Sequence, residues 1–98
     1  IPVLMVSPGW EQSFNETLVS QGEEHILTMS PSRIQEFLDK ARQEFDRVAT
    51  QGVIPMVLCS PPLRPHLYRL LRRQRQLLTV LSQAEIYPKI KVKTLGQI

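Results

Sequence analysis

The sequence predicts a single small α/β domain over residues 1–98, a mixed sheet of about five strands with about three helices packed on it. Three observations lead there. Short, continuously apolar runs at Val3–Ser7 and Ile54–Cys59 end in Pro-Gly or Ser-Pro, the pattern of buried strands running into turns. Between them, apolar residues from Ile34 to Ala49 recur at helical spacing. Beyond them a Pro-marked turn opens an arginine-rich helix, and the chain closes on an alternation of apolar and polar residues from Ile90 to Leu95. Strands interleaved with helices call for a sheet with helices laid on it.

The elements follow in order. After the first strand, Trp10, Phe14 and Leu18 stand at i, i+4, i+8, which predicts a short helix with Trp10 as a core anchor; Glu11 sits near its start, where the helix dipole favours an acid. Gln21-Gly22 breaks the chain and His25–Met29 reads as a second strand. Ser32 and Gln35 have capping-box spacing behind Pro31, so the long helix is expected from Ser32, with Gly52 as its stop. Its apolar stripe is Ile34, Phe37, Leu38, Ala41, Phe45, Val48 and Ala49, and Glu36/Lys40 and Arg42/Asp46 are expected to pair on the wet side. Ile54–Cys59 predicts a central strand. The third helix begins near Pro62, because Pro65 must fall in a first turn, and buries Leu63, Leu67, Leu70 and Leu71. Leu77–Ser82 reads as a fourth strand and Gln83–Pro88 as a connection. Ile90–Leu95, with its lysines pointing outward, reads as a half-exposed edge strand.

Composition excludes several classes of function. At 42% hydrophobic and 21% charged the chain is globular in character. No apolar run approaches the roughly 18 residues of a membrane span. Cys59 is the single cysteine, so no intrachain disulfide can form. The opening IPVLMVS reads as a strand inside a piece of a larger protein. Catalysis needs a nucleophile with a base in reach. Cys59 and His66 are a conceivable pair, but Cys59 ends an apolar run and reads as buried, while His66 falls on the early, exposed part of a helix. No catalytic residue is assigned. His25, His66 and Cys59 lack metal-ligand spacing, no GxGxxG or GxxxxGK[ST] is present, and no cofactor or metal is expected. Ser60, ahead of a helix N-terminus, is a candidate anion holder.

The charge is distributed unevenly. Residues 1–50 carry eight acids and four bases, a balance of −4; residues 51–98 carry eight bases and one acid, Glu85, a balance of +7. Such a split suits an acidic partner or a second copy of the chain. The candidate partner-binding residues are Arg64, Arg69, Arg72, Arg73 and Arg75. With Lys89, Lys91 and Lys93 they also fit the alternative of a standalone basic domain that binds nucleic acid. The aromatic interleaving of a single-strand platform is missing, since only Tyr68 and Tyr87 lie nearby.

PMVLCSPPLRPHLYRLLRR, LTVLSQAEI and KVKTLGQI, preceded by VLMVSPGWEQSF and the helix from Ser32 to Gly52, form an ordered set. It resembles the C-terminal end of the FHIPEP family, the large export-gate proteins of flagellar and type III secretion systems. No single piece is specific; the order is, and it covers essentially the whole chain. The Trp10–Phe14 and Met29–Ser32 segments lean toward the flagellar branch. The resemblance implies a non-enzymatic docking and structural module: the last cytoplasmic subdomain of a longer chain, anchored by an N-terminal membrane part on the cytoplasmic side of the bacterial inner membrane. It further implies a homo-oligomeric ring in the full-length protein with a monomeric isolated domain. The implied partners are export chaperone–substrate complexes and other export components, with no nucleic acid.

Overall fold

The computed structural model describes residues 1–75, 78–86 and 91–98. Its strands are β1 (Pro2–Met5), β2 (Leu18–Gln21), β3 (Glu24–Leu27), β4 (Met56–Cys59), β5 (Val80–Ser82) and β6 (Lys93–Gln97). Its helices are α1 (Pro8–Thr17), α2 (Pro31–Ala49), α3 (Arg64–Leu71) and the single turn α4 (Gln83–Ile86), with a 3₁₀ turn at Pro61–Leu63. Four strands form a parallel sheet in the order β5-β4-β1-β6, and β2 and β3 form a separate antiparallel hairpin. The α/β class stands.

Strand register sorts the core. Leu4 pairs with Val57 and Val57 with Val80, placing these side chains on one face; Met5, Leu58 and Leu81 share the other. The first face meets Phe14 of α1, Phe37, Ala41, Phe45 and Val48 of α2, and Leu67 and Leu71 of α3, in one buried cluster. The second face carries a smaller cluster of Val3, Leu58 and Ile86, the last supplied by α4. The three longer helices thus crowd one side of the sheet. Trp10, Phe14 and Phe37 join α1 to α2 through edge-on ring contacts, with the Phe14 and Phe37 centroids 4.8 Å apart.

Both long helices begin on a Ser-Pro pair. The hydroxyl oxygens of Ser7 and Ser30 accept from the N–H groups of Trp10 and Arg33, and Pro8 and Pro31 occupy the first turn, where no N–H is missed. The N-cap of α2 is therefore Ser30, not Ser32. Gln35 reaches forward to Asp39 instead of back to a cap.

Several local expectations shift. The first helix stops at Thr17, and Leu18 opens β2, which the helical spacing of Trp10, Phe14 and Leu18 had concealed. Gly22 holds a φ of 65° at the hairpin turn, a conformation that glycine adopts without steric cost. The expected second strand appears as β3 but pairs only with β2, outside the parallel sheet. Ala49 and Ile54 are solvent-exposed, the latter at 75%, because β4 begins only at Met56. Arg42 pairs with Asp39, and Glu36 and Glu44 of α2 are likewise met one turn away, by Arg33 and Arg47. β6 is an edge strand as expected, though displaced toward the C-terminus. Leu77, Tyr87, Lys89 and Ile90, which the expected strands, connection and basic cluster included, lie outside the described residues.

Candidate functional site

The arginine-bearing segment is built by the turn after β4. Ser60 ends that strand, and its backbone N–H and hydroxyl both donate to the Glu11 carboxylate, at 2.8 and 2.6 Å. The anion for which Ser60 was a candidate holder is thus a carboxylate of the protein itself, from the first turn of α1. Pro61-Pro62-Leu63 make one 3₁₀ turn, and α3 follows with Pro65 in its first turn. Leu63, Leu67 and Leu71, at i, i+4, i+8, are fully buried and fix which side of α3 faces inward. Gln74 donates from Nε2 to the Leu38 carbonyl at 3.0 Å, tying the end of the segment to α2.

This orientation divides the five candidate arginines. Arg64 leaves α3 to meet Glu85 on α4 at 2.6 Å. Glu85 also accepts from the Ser82 N–H at 3.0 Å, the glutamate half of a Ser-x-x-Glu capping box whose spacing was legible in the sequence and read there as a connection. The Ser82 backbone and then Arg64 hold the Glu85 carboxyl below its usual range. Arg75 lies over the Phe45 ring at 4.7 Å and reaches Asp46 at 3.9 Å, so Asp46 serves this arginine and not Arg42. Arg72 lies 5.9 Å from the centre of the Tyr68 ring. Among the described residues, Arg69, Arg72 and Arg73 form no ion pair, and all three are exposed. The candidate surface therefore contracts to these three.

His66 corrects the sequence reading. It lies at 8% exposure, because the turn that buries Leu63 and Leu67 carries it inward as well. Burial, then Arg69 and His25, push its imidazole below the ordinary histidine range. Cys59 is buried at 1% exposure, and burial first, then Glu11, pushes its thiol up to about 12. A thiol held protonated in this way is a poor nucleophile. The described residues hold no group of three or more His, Cys, Asp or Glu side chains able to take a metal ion.

The FHIPEP family model matches residues 1–91. The flagellar biosynthesis protein FlhA of Caulobacter vibrioides is 38% identical over 98 residues, all of this chain but 14% of that protein's length. Among solved structures, the C-terminal domain of InvA superposes with a TM-score of 0.85 at 18% identity, over all of this chain and 30% of that one. The nonameric SctV-C of EPEC gives 0.82 at 17% identity, again over the whole chain and 29% of that one. Chlamydia pneumoniae CdsV, solved in complex with CdsO, gives 0.79 at 20% identity, over the whole chain and 29% of that one. At these identities the superpositions show a shared fold.

Proposed function

Because the chain belongs to the FHIPEP family, we propose that it is a non-enzymatic structural and docking module of the flagellar or type III protein-export gate. In this reading it is the last cytoplasmic subdomain of a longer chain whose N-terminal part enters the inner membrane. It helps the cytoplasmic ring assemble and offers a surface to export chaperone–substrate complexes or other export components, and alone it is a monomer. The nonameric assembly of SctV-C and the complex of CdsV with CdsO support this reading by likeness of fold.

One observation carries the docking role. Three arginines, Arg69, Arg72 and Arg73, stand exposed without a carboxylate among the described residues, while Arg64 and Arg75 are engaged inside the chain. Exposed cations carried by the end of a helix locked into the core, and by the turn that follows it, suit an acidic protein surface. Family membership takes the place of the nucleic-acid alternative. Reversal of Arg69, Arg72 and Arg73 to Glu in the full-length protein tests the reading. The variant is expected to fold and to lose secretion or motility; normal secretion and motility overturn the docking role.

A further inference from the structure

Between the β2–β3 hairpin and α3 lies an open groove of about 650 Å³. Its apolar lining comes from Ile26 and Leu27 of β3, Ile34 of α2 and Leu70 of α3. Arg69, in the last turn of α3, and Arg73, in the turn that follows the helix, line it from one side. Glu24 is the single acid of the lining, and it sits beside the hairpin turn.

We propose that this groove binds an acidic amphipathic segment of a partner protein, with carboxylates on Arg69 and Arg73 and an apolar stripe on Ile26, Leu27, Ile34 and Leu70. The inference rests on the docking reading above and gives it a location and a partner chemistry. Charge complementarity carries it: two guanidiniums unpaired among the described residues flank an apolar trough, the arrangement that desolvates a carboxylate pair while burying its neighbours. Glu24 repels an acid at the hairpin end and so orients the segment, acidic positions toward α3.

The groove carries its own reporter. The titratable and charged groups lining it with His66 are Glu24 and His25 from the hairpin, Arg69 from α3 and Arg73 from the turn after it; α2 contributes only Ile34. Burial and the positive charge of Arg69 disfavour the imidazolium of His66. A carboxylate docked on Arg69 offsets that charge, so binding and His66 protonation reinforce each other and binding strengthens as pH falls.

A synthetic helical peptide with Leu on one stripe and Glu pairs at i, i+4 on the other provides the probe. Titrated into the 98-residue chain, it is expected to bind saturably, weaken with added salt and shift the imidazole resonances of His66. Arg69→Ala and Arg73→Ala are each expected to weaken it by about tenfold, with Arg64→Ala without effect and far-UV circular dichroism unchanged in all three. A Gln-for-Glu peptide is expected not to bind. Equal binding to the Arg69→Ala/Arg73→Ala double variant overturns the proposal, as does tighter binding of a single-stranded oligonucleotide than of the peptide. If no peptide binds while reversal of the three arginines still abolishes secretion, the groove assignment falls and the docking reading stands.

Discussion

The Glu11 carboxylate receives both the backbone N–H and the hydroxyl of Ser60, at 2.8 and 2.6 Å across 49 residues of sequence. The pair joins the first turn of α1 to the C-terminal end of the central strand β4, and so sets where α3 and its arginines begin. Hydrogen bonds to an ionised acceptor in a half-buried setting are each worth about 1.5–3 kcal/mol. Glu11→Ala is therefore expected to cost about 2–4 kcal/mol once partial rehydration of Ser60 is allowed for, and Ser60→Ala less, because the backbone N–H bond remains. Urea denaturation measures both, and a midpoint unmoved by Glu11→Ala would remove the pair from the fold's supports.

Phe37 lies at 0% exposure and meets Phe14 and Trp10 edge-on; Phe45 lies at 2% under the Arg75 guanidinium. Each Phe→Ala substitution leaves a cavity in the single large core and is expected to cost about 3–5 kcal/mol. For a domain of this size that is a large share of total stability. The midpoint of denaturation by urea reads the loss directly, and either variant retaining the wild-type midpoint would show that its ring is not packed as described.

The Cys59 thiol is held protonated, with its pKa raised from an ordinary 9.0 to about 12. The folded state thus prefers the neutral form, and the resulting stability is complete below about pH 9 and drains away as pH rises toward 12. Wild type should lose stability across that window more steeply than Cys59→Ala. Iodoacetamide at neutral pH should label the native thiol slowly and the urea-unfolded thiol quickly. Rapid native labelling, or identical alkaline limbs, would contradict a buried thiol.

Two glycines should respond with opposite sign. Gly96 in β6 has a φ of 156°, and an added Cβ would meet the Arg47 guanidinium, which donates to the Leu95 carbonyl where the β1–β6 register shifts. Gly96→Ala is expected to destabilise. Gly9, in the first turn of α1, has nothing within 4 Å of such a Cβ. Gly9→Ala is expected to stabilise by about 0.4–1 kcal/mol through the lost freedom of the unfolded chain. Thermal melts of the two variants, side by side, check the signs.

The elements legible in advance were those whose signal is local. The apolar run around Val57 and Cys59, the stripe from Phe37 to Val48 and the leucines of α3 each announce a buried face, because burial imposes the period of the element that carries it. The hairpin escaped for a local reason as well: Leu18 sits at the spacing that continues a helix, yet Thr17 turns its hydroxyl back on the Ser13 and Phe14 carbonyls and α1 ends there. Leu18 still packs on the core, so its burial was right while its conformation was not.

The candidate site was legible as a composition and not as a surface. Sequence by itself determined that five arginines would crowd one short helix and its exit, that Leu63, Leu67 and Leu71 would hold that helix down, and that the ordered motifs resemble those of one family. Only tertiary structure decided which arginines remain available. Arg64 met an acid of α4, Arg75 a ring and an acid of α2, and Glu11 went to Ser60. These pairings join residues dozens of positions apart or on different elements, and helical spacing along one segment carries no information about them. Charge neutralisation depends on distance in space, which the sheet order and the seating of three helices on one face alone establish.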